Sequence, residues 1–120
     1  VSDAAVEKSL IPEDPEDLKL ITLARAALTR TSADQGACVR DTDGRAYAAA
    51  SVHLDHLRLS AIAVAVAMAV SSGASVLEAV AVAGTAPSDE DLAVLRDLAP
   101  SGAVVWSVDL RGQILEASQL

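Results

Sequence analysis

Ala61-Ile62-Ala63-Val64-Ala65-Val66-Ala67-Met68-Ala69-Val70 is the stretch on which the fold turns. Small and large side chains alternate, and a period of two taken alone describes a strand. Length and alanine content favour a helix instead, because the uncharged run reaches back to Leu57, broken only by Arg58, and alanine is the strongest helix former. Ser71-Ser72-Gly73 then offers a natural C-terminal stop, since glycine takes the left-handed cap conformation without strain. The expected element is a helix over Leu57 to Ser72. A helix apolar on every side has to be covered on every side, so it should be the central helix of the domain, packed partly on a sheet and partly on a neighbouring helix or subunit. The apolar run spans about 14 residues where a bilayer needs roughly 20, which excludes a transmembrane reading.

Outward from this helix the chain falls into alternating elements. Asp14-Pro15-Glu16-Asp17 starts a helix, with a capping aspartate, proline in the first turn and acids at the positive end of the dipole. The helix is expected over about 16–31, with Leu20, Leu23, Ala24, Ala27 and Leu28 as its apolar stripe. Gly36–Arg40 and Arg45–Ala50 read as strands joined by Asp41-Thr42-Asp43-Gly44, where Asp-Gly suits a tight hairpin. Asp-x-Asp-Gly also resembles the start of a calcium loop, but the later ligands and the bidentate glutamate are missing. Leu77–Gly84 suits an interior strand. Asp89–Leu98 reads as a helix begun by Ser88 and stopped by Pro100 and Gly102, Ala103–Val108 as a strand, Arg111-Gly112 as a tight turn and Gln113–Ala117 as a last strand. Residues 1–13 read as a flexible acidic tail, from which Val6, Leu10 and Ile11 could still pack onto the domain, and 14–120 as a single domain.

Composition narrows the functional classes. The chain has 120 residues, 52% of them hydrophobic, yet only Tyr47 and Trp106 are aromatic. Alanine makes up about a fifth of it, well above ordinary usage, so the core is built from small side chains whose elements approach closely, and flat alanine-rich surfaces favour contacts between subunits. A net charge of −8 argues against a nucleic-acid backbone and against an anionic membrane surface. The single Cys38 rules out an internal disulfide and a cysteine-based zinc site. Residues 1–16 lack the basic and apolar regions of a signal peptide, so a cytoplasmic location is expected.

Several local sequences, in order, resemble the cytidine deaminase family. They are Leu23-Ala24-Arg25-Ala26-Ala27 on the first helix, Gly36-Ala37-Cys38-Val39 opening the first strand and Asp43-Gly44-Arg45-Ala46-Tyr47 at the hairpin. Ala69-Val70-Ser71-Ser72-Gly73-Ala74 ends the central helix, and Leu77-Glu78-Ala79-Val80-Ala81-Val82 follows as a strand. The resemblance covers Asp17 to Ala117. It implies a three-layer α-β-α sandwich, an α/β fold around a five-stranded mixed sheet of order 2-1-3-4-5, with the last two strands antiparallel.

The resemblance also implies what is missing. Zinc deaminases carry a cysteine or histidine and, two residues on, a glutamate at the start of the central helix, with two further thiolates at the start of the next helix. The metal lowers the pKa of a bound water and the glutamate moves its proton. Here the first ligand position falls at Ser60, the glutamate position at Ile62 and the thiolate positions at Ser88 and Asp91. The family's ribose-holding Asn-x-Glu falls at Ser51-Val52-His53. No catalytic residue, metal site or cofactor is therefore expected, although zinc is the family's cofactor. Ser88-x-x-Asp91 reads as a capping box, and Ser60 and Ile62 as packing residues.

The remaining cluster of metal-ligand types is His53-Leu54-Asp55-His56. The two histidines with Asp89 and Asp91 could hold a relocated zinc or iron. Otherwise they are polar loop residues, with Asp55 capping the central helix. Cys38 reads as a buried, inert thiol. The preferred expectation is a catalytically inactive, cytidine deaminase-like binding or scaffold module, a homodimer or homotetramer built through the Leu59–Val70 helix, with a protein or small ligand as partner. One alternative is a hydrolase or deaminase using His53, His56, Asp89 and Asp91. Another is a nucleoside or nucleobase sensor using a vestigial pocket of Ser51, His53, His56, Ser60, Ile62, Ser88 and Asp91.

Overall fold

The computed structural model describes residues 11–120. The acidic tail lies outside that range except for Ile11, which is exposed, Pro12, which is buried, and Glu13. Helix α1 spans Pro15–Thr31. The Asp14 side chain accepts a hydrogen bond from the Glu16 N–H at 2.9 Å, satisfying one of the four free donors of a helix start. Its buried face is Asp17, Leu20, Ile21, Ala24, Ala27 and Leu28, one stripe at helical spacing. Leu23, expected on that stripe, is instead exposed. The helix is turned so that Asp17 faces inward, because the sheet supplies its partners. Trp106 Nε1 donates to Asp17 Oδ2 at 3.1 Å, and Arg40 Nη1 sits 2.9 Å from Oδ1, an ion pair off the hydrogen-bond angle. Arg40 Nε in turn donates to Glu78 Oε2 at 2.8 Å.

The main sheet contains β1 (Gln35–Asp41), β2 (Ala46–Ala50), β5 (Leu77–Gly84), β6 (Val104–Val108) and β7 (Ile114–Gln119). Its order is β2-β1-β5-β6-β7, which is 2-1-3-4-5 counted over these five strands, as the resemblance implied. β1 pairs antiparallel with both β2 and β5, β5 pairs parallel with β6, and β6 pairs antiparallel with β7. The parallel pair is connected through α3 (Asp89–Arg96), as a crossover requires. Alternation along the strands sorts the core into two layers. Ala37, Val39, Val80, Val82 and Val105 pack with the central helix α2 (Ala61–Ser71), and Cys38, Ala79, Ala81, Ala83, Trp106 and Val108 pack with α1.

Small residues set how closely the layers approach. A Cβ placed on Gly36 would lie 2.2 Å from the Ala24 carbonyl oxygen and 2.9 Å from Leu28 Cβ, so α1 rests directly on the β1 backbone. In the β1–β2 hairpin, Asp41 Oδ1 accepts from the Asp43 and Arg45 N–H groups at 3.0 and 2.9 Å, and Oδ2 accepts from the Tyr47 hydroxyl at 3.0 Å. This carboxylate builds a turn.

The period-two run is a helix, shorter than the sequence implied. Residues 52–59 form a two-stranded ribbon, β3 (Val52–His53) paired with β4 (Arg58–Leu59), in place of a loop and a first helical turn. Asp55 therefore does not cap α2. Ser60 does, with extended φ and ψ of −67° and 159° and Oγ accepting from the Ala63 N–H at 3.0 Å. Leu59 accordingly lies in β4 and outside the helix. Ile62, Ala65, Val66 and Ala69 are buried, while Met68 and Val70 are 41% and 51% exposed. The described residues cover one side of α2 and leave the other open.

Candidate functional site

At the C-terminal end of β5, the starts of α2 and α3 and the β3–β4 ribbon enclose an open cleft of about 340 Å³. Of the residues expected in a vestigial pocket, Ser51, His53, Ser60, Ser88 and Asp91 line it. His56 does not, because it sits exposed between the two ribbon strands. Ile62 does not either: it is 0% exposed and belongs to the core under α2. A second opening of about 260 Å³ shares Arg58, Leu59, Ser60, Ser88 and Asp91 with the first and continues to Val94 on α3.

The side chains of Ser60, Ser88 and Asp91 are already engaged. Ser60 Oγ holds the Ala63 N–H. Ser88 Oγ accepts from the Asp91 N–H at 3.0 Å, and Asp91 Oδ2 accepts from the Ser88 N–H at 3.1 Å, the reciprocal capping box that the spacing implied. Asp89, Glu90 and Asp91 crowd the first turn of α3, where the positive end of the helix dipole favours them.

Sequence reading missed the side chains that hold the cleft floor. Gln35, 4% exposed at the first position of β1, donates from Nε2 to the Thr85 carbonyl at 3.0 Å and accepts at Oε1 from the Ala61 N–H at 2.8 Å. Asp34 accepts at Oδ1 from the Ser51 hydroxyl at 2.8 Å. Its carbonyl oxygen accepts from both the N–H and the Oγ1 of Thr85, at 3.0 and 3.1 Å. Gly84 permits this closure, since its φ is +86° and a Cβ there would fall 2.4 Å from the Asp34 carbonyl oxygen. Arg58, the cation on the cleft lining, donates from Nε to the Leu54 carbonyl at 3.3 Å.

This donor set does not fit zinc. Serine hydroxyls are poor ligands at neutral pH, and both lie within helix caps. Asp91 supplies a carboxylate, but with one oxygen held by a backbone N–H. Among the described residues no three His, Cys, Asp or Glu side chains are grouped as a metal ion would need. Cys38 stands apart from the cleft, fully buried on the α1 face of the sheet. Burial pushes its thiol up to about 11, against smaller opposing effects of the Tyr47 backbone and Arg40. Among the described residues no helix is long and apolar enough to cross a membrane.

Comparison with known proteins points one way. A family model described as cytidine deaminase-like matches residues 13–112. The fold is similar to the crystal structure of cytidine deaminase from Burkholderia pseudomallei, at 22% identity and a TM-score of 0.75, covering 84% of this chain and 90% of that one. It is also similar to cytidine deaminase from Mycobacterium leprae, at 17% identity and a TM-score of 0.67, again over 84% of this chain and 90% of the other. No curated protein matches. With the five-stranded order, the central helix and the matched residues in agreement, this chain belongs to the cytidine deaminase-like family.

Proposed function

We propose that this chain is a catalytically inactive member of its family that works as a homo-oligomeric binding or scaffold module in the cytoplasm, without a metal. The observation that carries the reading is the surroundings of the four positions to which the resemblance assigns the zinc chemistry. Ser60, Ser88 and Asp91 are committed to helix caps, and Ile62 is core. Ile62, at the position of the proton-carrying glutamate, has no group that could move a proton to and from a metal-bound water as the family mechanism requires. The open side of α2, with Met68 and Val70 exposed, supports assembly as a homodimer or homotetramer, since apolar helix faces of this kind call for cover. The acidic net charge disfavours nucleic acid as partner.

Metal content and subunit number measured on the purified protein test this reading. Expected are less than one-tenth of a zinc per chain, no turnover of cytidine or deoxycytidine, and a dimer or tetramer that Met68→Glu dissociates. Zinc near one per chain with deamination would overturn it.

A second reading, a nucleoside or nucleobase sensor, is favoured by the cleft itself, which keeps Ser51, His53, Ser60, Ser88 and Asp91 around an accessible volume. Binding to the folded state raises the melting temperature. A thermal-shift series with nucleosides and nucleobases at millimolar concentration decides it, and no shift rejects it.

A further inference from the structure

We infer that Gln35 is the tie that joins α2, β1 and the end of β5 at the cleft, performing with a carboxamide the joining that a metal bound to the two helix starts would otherwise provide. The inference rests on reading the cleft as metal-free.

β1 pairs with β5 along the sheet, and α2 packs on both through the core; at the cleft end, where that core gives out, polar groups complete the join. α2 begins with four backbone N–H groups lacking helical partners. Ser60 satisfies that of Ala63 through its side chain, and Gln35 satisfies that of Ala61 from another element altogether. On the opposite side, the Thr85 carbonyl stands just past the end of β5, where the chain turns toward α3. Thr85 is itself exposed, but its carbonyl meets the buried Gln35 amide, and Nε2 supplies the donor in a part-buried bond.

The chemistry specifies the residue type. One contact is a backbone N–H and the other a backbone C=O, so the bridging group needs an acceptor and a donor on one rigid plane. A carboxamide has both. Glutamate lacks the donor, lysine lacks the acceptor, and serine is too short to span from β1 to both. The orientation of the amide is fixed for the same reason, since exchanging its oxygen and nitrogen would place donor against donor and acceptor against acceptor. The neighbours extend the tie: Asp34 clamps Thr85 and Ser51, and the Ser51 N–H donates to the Gln35 carbonyl at 2.9 Å. In consequence, the cleft keeps its shape with no ion in it.

Gln35→Met and Gln35→Glu test this, read by melting temperature and by hydrogen exchange at the Ala61 amide, each with and without a strong chelator. Gln35→Met keeps the volume and removes the side-chain partner of both backbone groups. It should lower the melting temperature by about 5–15 °C, given losses of the usual size for one buried and one part-buried hydrogen bond, and speed Ala61 exchange at least tenfold relative to Ala65. Gln35→Glu keeps the acceptor and loses the donor, so Ala61 should stay protected while the melting temperature still falls. A merely space-filling residue would give the reverse pattern, with Met tolerated. Gln35→Met within 2 °C of the parent with unchanged Ala61 exchange overturns the tie, as does loss of Ala61 protection in Gln35→Glu equal to that in Gln35→Met. If Gln35→Met does not fold, the Ala61 readout in Gln35→Glu alone decides. Chelator should leave the parent unaffected. A fall in its melting temperature would refute the metal-free reading of the cleft, whatever the two variants show.

Discussion

The resemblance sets the family's proton-carrying glutamate at Ile62, and a glutamate placed there would enter the core of this chain. Ile62 is 0% exposed and packs among Ala37, Val39, Val80 and Val82, away from the cleft lining. Removing a buried isoleucine side chain forfeits about 2–3 kcal/mol of burial. The introduced carboxyl then resists ionising. A buried carboxyl is raised by roughly 3 units from its ordinary value near 4.3, which at neutral pH adds about 4 kcal/mol. The sum, about 6 kcal/mol, is comparable with the whole stability of a domain this size. The sign of the pH effect follows from linkage. A carboxyl whose folded pKa is raised releases its proton first in the unfolded chain, so stability falls as pH climbs from the unfolded pKa to the folded one. Denaturant unfolding of Ile62→Glu and Ile62→Gln between pH 4 and pH 8 checks this. Both should lose the burial term at pH 4, and only the glutamate variant should weaken further toward pH 7. Equal, pH-independent losses in the two variants would refute the reasoning, because they would mean that the carboxylate reaches solvent through the cleft.

Gly36→Ala should cost about 1–3 kcal/mol, the usual range for overpacking, because its Cβ meets the Ala24 carbonyl oxygen at 2.2 Å; a denaturant midpoint equal to the parent's would contradict the close approach of α1. Burial works to raise the Asp41 carboxyl, but the N–H groups of Arg45 and Asp43 and the Tyr47 hydroxyl outweigh it and hold the group below the usual carboxylate range. Its stabilising effect is therefore full above the unfolded aspartate pKa, near 4, and disappears as pH drops through the lower folded value. Asp41→Asn should flatten the acid limb of the stability profile below about pH 4, as circular dichroism of acid unfolding would record. Cys38 should react with a thiol reagent at least ~100-fold more slowly in the native state than in denaturant, since its thiolate is both scarce and enclosed; equal labelling rates would show that the α1 layer opens readily.

What was legible in the sequence was whatever rests on local chemistry. The Asp-Gly hairpin, the Ser88-x-x-Asp91 box, the Asp14 cap and the short apolar strand Leu77–Gly84 each declare themselves within a few residues, and the sheet order came with the resemblance. The β3–β4 ribbon was hidden because Val52–His53 and Arg58–Leu59 are two residues each, too short for any periodicity. The facing of α1 was misread because a buried aspartate is intelligible only together with Arg40 and Trp106, which lie far along the chain. Gln35 carried no signal beyond one polar residue ahead of an apolar strand. Its partners are backbone groups 26 and 50 positions away, and backbone groups have no spelling in a sequence. Ile62 was placed in the vestigial pocket because family position suggested it, while helical phase points it to the core.

The Asp17–Trp106 hydrogen bond gives the molecule an optical reporter of its own. Trp106 is the only tryptophan, so all indole emission comes from one spot on β6. There the ring is 8% exposed and its N–H is held by a carboxylate on α1, which is itself paired with Arg40 on β1. Emission wavelength and lifetime therefore register whether α1 is seated on the sheet. Events confined to the cleft and to the open side of α2, on the opposite face, should leave that light unchanged. Spectroscopy on the unlabelled protein can thus separate loosening of one layer from occupancy of the other.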